Sequence, residues 1–125
     1  MLSPYTVLDL TDHRGELTAM MLGDMGADVI KIEPPQGSSS RQMSPYLEAA
    51  PEMEQSLQFF SYNRNKRGIT LDLQSEPGRQ ALMSLVGKAD FLIESSEPGE
   101  MASLGLGFDE IDRKSTRLNS SHALI

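Results

Sequence analysis

Cysteine is absent from this 125-residue chain, which excludes disulfides, thiolate chemistry and cysteine-ligated metals. No apolar run approaches the roughly 20 residues that a membrane-spanning helix needs. No charged-then-apolar leader opens the chain, since Met1-Leu2-Ser3-Pro4 runs straight into a strand-like stretch. Excess positive charge is missing too. The formal net charge is −7, which argues against non-specific nucleic-acid binding. Together these absences predict a cytoplasmic protein with no membrane or nucleic-acid partner.

The familiar phosphate signatures are also lacking. The first strand-like stretch is followed by Thr11-Asp12-His13-Arg14-Gly15 rather than Gly-x-Gly-x-x-Gly, and Gly105-Leu106-Gly107 follows no strand. No Gly-x-x-x-x-Gly-Lys-Ser/Thr loop is present. A dinucleotide oxidoreductase therefore has little support. One histidine outside the C-terminal segment, with scattered carboxylates, makes no metal-ligand spacing, so no metal is expected.

What the chain does carry is an alternation of helix and strand signals. Its organising stretch is Leu22–Pro35. Gly26 stands where a helix ends in the left-handed conformation, free of a Cβ clash. Asp28 closes the turn, and Val29, Ile30 and Ile32 form a buried strand with Lys31 inside it. Pro34 and Pro35 then remove two backbone donors and end the pairing. Ligands dock at the ends of such strands in open α/β sheets, so Glu33 and the loop after it are the first candidate site.

Around that stretch, Tyr5–Leu10 reads as a strand, and Thr11 or Asp12 as the cap of a helix from Gly15 to Met25. Leu17, Met20, Met21 and Met25 recur there at helical spacing, as a core-facing stripe. Gln36–Gln58 reads as a long loop, and Phe59–Tyr62 as a helical turn. A strand over Ile69–Leu73 follows Asn63-Arg64-Asn65-Lys66-Arg67. Ser75 caps the next helix, Pro77 lies in its first turn, Leu82, Leu85 and Val86 make its buried stripe, and Lys88 suits its end. Asp90–Glu94 is a fourth strand, and Met101–Gly107 a short helix. The alternation predicts an α/β fold with a mostly parallel sheet and flanking helices. Its exits after Leu10, Glu33, Leu73 and Glu94 share one edge.

Two groups at these exits carry chemistry. His13 reads either as a general base or phosphate donor or as an ordinary polar loop residue, with Arg14 adding a cation beside it. Arg64, Lys66 and Arg67 either steer a phosphate-rich ligand to the edge or form a solvated loop.

Taken together, Val7–Thr11, Leu22–Pro35, Asn63–Arg67, Leu71-Asp72-Leu73, Ala89–Glu94, Pro98-Gly99 and Leu104–Gly107 resemble the start of the class III CoA-transferases. That family includes formyl-CoA and carnitine CoA-transferases and the related α-methylacyl-CoA racemases. The resemblance implies a Rossmann-like domain, incomplete at its C-terminus, that holds the nucleotide end of coenzyme A. The parent enzyme would move CoA between an acyl-CoA and a carboxylic acid acceptor, as an interlocked dimer. The family's nucleophilic aspartate, which forms acyl-anhydride and CoA-thioester intermediates, lies downstream of these residues. No residue here inherits a catalytic role, and the fragment itself is expected to be inactive. A non-catalytic CoA-binding subunit and a racemase-like isomerase stay open as alternatives.

The same resemblance assigns coenzyme contacts to His13 and Arg14 after the first strand, Leu71 near the adenine, and Gln74, Ser95 and Ser96. The family often has a basic residue at the place of Gln74, an Asn-Phe pair at Ser95-Ser96 and an arginine at Ser103. Those departures predict weaker phosphate and adenine binding, because charge-assisted bonds are the stronger kind.

The last fourteen residues, Asp112–Ile125, lose the apolar periodicity and carry a net charge of +2, leaving −9 for residues 1–111. They resemble a translated sequencing adapter. The expected division is therefore residues 1–111 as the CoA-binding part and 112–125 as a non-native tail.

Overall fold

The computed structural model describes residues 1–114 and the strand Ala123–Leu124. Five strands make one sheet: β1 (Thr6–Leu10), β2 (Asp28–Glu33), β3 (Arg67–Thr70), β4 (Phe91–Glu94) and the two-residue β5 (Ala123–Leu124). Their order is β3-β2-β1-β4-β5, and every pairing is parallel. Parallel neighbours need crossovers rather than hairpins. Helices α1 (Glu16–Asp24), α2 (Leu57–Asn63) and α3 (Glu76–Val86) lie on the three crossovers, with α4 (Glu100–Ser103) and α5 (Phe108–Lys114) after β4.

Strand alternation divides the core in two. Val7 of β1 sits in register with Val29 of β2 and Phe91 of β4, and Leu8 with Ile30 and Leu92. Val7, Val29 and Ile93 therefore share one face, where Ala19 of α1 and Ala27 pack on them. Leu8, Ile32 and Leu92 share the other, under Leu82 and Val86 of α3, Ile111 of α5 and Leu106 in the turn before it. Each fully buried aliphatic side chain contributes about 1.5–3 kcal/mol.

The start of α3 shows why its residues are what they are. Ser75 Oγ accepts the Gly78 N–H at 3.1 Å, capping the helix as expected. Gly78 passes so close to the preceding turn that a Cβ there would lie 1.9 Å from the Asp72 carbonyl oxygen. Only glycine fits.

Several expectations need correction. Helix α1 is capped at Gly15 without a side-chain bond, because Asp12 turns its carboxylate to Arg14 instead. The Leu17, Met20, Met21, Met25 stripe is not core: Leu17 is 49% exposed and Met21 54%. The buried face of α1 is Glu16 and Ala19, since the helix covers charged groups as well as apolar ones. Gln36–Gln58 holds 3₁₀ turns at Ser39–Gln42 and Glu52–Glu54 and a bridge between Tyr46 and Ser56, and α2 begins inside it. Strand β3 is shifted toward the N-terminus, ending at Thr70, and α3 ends before Lys88. Gly26 does end α1's turn with φ of 106°.

The expected tail division falls largely on residues outside the described ones. Of that segment, Asp112–Lys114 continue α5, and Ala123–Leu124 pair with Phe91 and Leu92. Among the described residues, no helix is long and apolar enough to cross a membrane.

Candidate functional site

The sheet order changes direction between β1 and β4, and the C-terminal strand ends open there into a cleft of about 620 Å³. That volume lies in the usual range for small-molecule sites. Its apolar wall is Leu10, Ile32, Leu71, Leu73, Met101 and Leu104, an extension of the α3-side core. Its polar wall comes from the four strand exits.

Of the six residues expected to touch coenzyme, Arg14, Leu71, Gln74, Ser95 and Ser96 line this one cleft. His13 does not. It lies exposed at the margin, where Ser39 Oγ accepts its backbone N–H at 3.1 Å and sits 2.7 Å from its Nδ1. Its link to the cleft runs through Ser39, which is a lining residue.

The β1 and β4 exits are stitched together. Asp12 N–H donates to Ser95 Oγ at 2.9 Å, and that hydroxyl donates to Asp12 Oδ1 at 3.0 Å. Arg14 pairs with Asp12 at 2.9 Å and Glu97 at 2.9 Å, and donates to the Ser95 carbonyl at 2.7 Å. Burial pushes the Asp12 carboxyl up, but the Arg14 side chain and backbone N–H and the Ser95 hydroxyl outweigh it and hold it at about 2. The hydrogen bonds to Asp12 and Glu97 raise Arg14 above its ordinary value.

On the α1 side of the sheet, joined to the cleft through Thr11 and Ser38, lies a buried ionic cluster that sequence reading missed. Lys31 Nζ is 2.9 Å from Glu16 Oε2 and 3.9 Å from Asp9 Oδ2, and donates to the Thr11 carbonyl. Lys66 Nζ reaches Asp9 Oδ2 at 2.7 Å, Asn63 Oδ1 at 2.8 Å and the Glu16 carbonyl at 3.0 Å. Ser38 and Ser40 hydroxyls donate to Glu16 Oε2 at 2.9 and 3.0 Å. Burial pushes Glu16 up, yet Lys31 and the two serine hydroxyls together bring it below the ordinary carboxylate value. For Lys66 burial wins: its pKa is lowered against the pull of Asp9. Glu16 Oε1 is buried without a hydrogen-bond partner, so the cluster is tight on one oxygen only. The one hint in the sequence was Lys31 inside an apolar strand.

Glu33, the first candidate, lines the cleft with the loop after it, and its carboxylate is held in place. Arg41 grips its two oxygens at 2.8 and 3.0 Å, and Ser38 N–H donates to Oε1 at 3.1 Å. The Arg64, Lys66, Arg67 group does not reach the cleft. Lys66 is buried in the cluster, Arg64 lies 3.6 Å from Asp24, and Arg67 pairs with Asp28 at 2.7 Å. Among the described residues no group of three or more metal-ligating side chains gathers.

The chain is thus a parallel α/β sheet with a lined cleft at its switch point. The sequence matches the CoA-transferase family III over residues 2–119, and the chain belongs to that family. It is 40% identical over 93% of its length to the succinyl-CoA:(R)-benzylsuccinate CoA-transferase subunit BbsE of Thauera aromatica, covering 28% of that protein. It is 40% identical over 90% of its length to the acetyl-CoA:oxalate CoA-transferase of Acetobacter aceti, again covering 28%. Among solved structures, a CAIB/BAIF family protein from Brucella suis superposes with a TM-score of 0.82 at 34% identity, over 92% of this chain and 31% of that one. The chain thus spans under a third of the length of these relatives.

Proposed function

We propose that this chain is the N-terminal, Rossmann-like coenzyme-binding part of a cytoplasmic enzyme that transfers CoA between an acyl-CoA and a carboxylic acid. The observation that carries the reading is the cleft at the β1/β4 switch point, lined by five of the six residues that resemblance marks for coenzyme contact. In this reading Leu71 packs beside the base, while Gln74, Ser95 and Ser96 offer polar contacts. Arg14 braces the β1 and β4 exits through Asp12, Glu97 and the Ser95 carbonyl, and His13 steadies the cleft margin through Ser39. Transfer itself needs a carboxylate nucleophile from outside this chain, so the chain binds without turnover. The relatives found are named for CoA transfer, which favours transfer over a racemase-like isomerisation. The parent assembles as an interlocked dimer, and exposed Leu17, Met21 and Phe60 on α1 and α2 offer it an apolar surface.

Calorimetric titration of the 125-residue chain with CoA, ADP and NAD tests this. CoA binding in preference to both nucleotides is expected, with no consumption of succinyl-CoA on prolonged incubation. Equal binding of all three, or acyl transfer by the chain alone, overturns the reading.

A further inference from the structure

The charge around the cleft is the reverse of what a polyanionic coenzyme calls for. Among the described lining residues, Arg14 is the one cation, against the carboxylates of Asp12, Glu33, Asp72 and Glu100. Glu33 is neutralised from behind by Arg41. Arg14 is already held by Asp12, Glu97 and the Ser95 carbonyl. Asp72 accepts the Gln74 N–H and Glu100 accepts the Glu97 N–H, so both carboxylates are fixed at the rim. A phosphate entering here meets fixed negative charge and a guanidinium already bonded to two carboxylates and a carbonyl. The net charge of −7 adds a repulsive field at longer range. The apolar wall and the Ser96 hydroxyl, by contrast, suit neutral groups.

Building on the CoA-binding reading, we infer that this cleft recognises the neutral parts of the coenzyme, base, ribose and pantetheine amides, and not its 3′-phosphate. The cleft does not discriminate CoA from 3′-dephospho-CoA, and Arg14 is a latent phosphate ligand kept shut by Glu97. A working charge-assisted clamp would separate the two ligands by roughly ten-fold or more. Without it they bind within about three-fold of each other. Raising the salt concentration screens repulsion rather than attraction, so affinity holds or rises.

The test is calorimetric titration of the 125-residue chain with CoA and with 3′-dephospho-CoA at low and near-physiological ionic strength. It is repeated on Glu97→Gln and Arg14→Ala. Glu97 is exposed, so its substitution leaves the fold intact. Expected are near-equal affinities for the two ligands, no loss with salt, and less than about a two-fold effect of Arg14→Ala. Glu97→Gln should tighten CoA about two- to five-fold, the range of an exposed ion pair, with less effect on 3′-dephospho-CoA. A ten-fold preference for CoA, a steep loss of affinity with salt, or a ten-fold loss of CoA alone in Arg14→Ala overturns the inference while leaving the CoA-binding reading standing. Absence of binding by either ligand overturns both.

Discussion

Asp9 of β1 and Lys66, in the turn before β3, meet at 2.7 Å with side chains 0% and 1% exposed. Arg67 and Asp28 meet at the same 2.7 Å on the surface. Distance does not separate these pairs; water does. Breaking a buried pair leaves an uncompensated charge in a low-dielectric interior, at a cost of about 3–5 kcal/mol, whereas an exposed pair contributes about 0–1 kcal/mol. Lys66→Met should therefore lower the urea-unfolding free energy by several times as much as Arg67→Met. Similar losses in the two variants would show that the cluster is not a structural anchor.

The same cluster makes the fold sensitive to acid. Glu16 and Asp12 both titrate lower in the folded chain than their ordinary values of 4.5 and 3.8. The unfolded chain then binds protons first as pH falls. Their stabilisation is fully present above about pH 5 and is lost progressively as pH drops toward 2. Asp12 is partly exposed and screened, so the buried Glu16 carries more of the effect. Urea midpoints measured between pH 6 and pH 3 should fall steeply for the unsubstituted chain and less steeply for Glu16→Gln. Parallel slopes would refute the assignment to Glu16.

These features also show what could be read from sequence. Gly26, Pro34-Pro35 and Ser75-x-Pro77 act within a few residues of themselves, so their turns, strand ends and cap were legible. The parallel sheet followed from the alternation of elements. Glu16 gave no such signal, because its partners Lys31, Ser38 and Ser40 lie 15 to 24 positions away along the chain. The methionine stripe of α1 misled for a related reason: helical spacing marks a face, and here the inward face carries Glu16 and Ala19. At the site, five cleft residues are marked by the family resemblance, but the pairing of Arg14 with Glu97 joins residues 83 positions apart.

Gly78 tests close packing without any charge. Adding a Cβ there forces it against the Asp72 carbonyl at 1.9 Å, and neither backbone segment yields readily. Gly78→Ala should cost about 1–3 kcal/mol, the usual penalty for overpacking. Gly68 in exposed β3 has nothing within 4 Å of the same added atom, so Gly68→Ala should change stability far less. Equal melting temperatures for the two variants would mean that the α3 start relaxes freely.

Arg41 holds the loop that forms one side of the cleft, and its geometry cannot be copied by another cation. Its guanidinium grips both Glu33 oxygens, at 2.8 and 3.0 Å, while its Cζ lies over the Phe59 ring, 3.8 Å from the centroid. The first contact fastens the loop to the end of β2, and the second ties it to α2. Lysine keeps the charge but loses both the two-pronged bond and the guanidinium over the ring. Arg41→Lys should therefore loosen residues 34–56 while sparing the sheet. Hydrogen exchange reads this directly: the Ser38 and Met43 amides, bonded to Glu33 and the Ser40 carbonyl, should exchange roughly ten-fold faster, and the Leu8 amide should not change. If Ser38 and Met43 keep their protection, the loop is held by its bonds to Glu16 and Ser56 and Arg41 is dispensable. If Leu8 also speeds up, the substitution has weakened the whole fold rather than the loop.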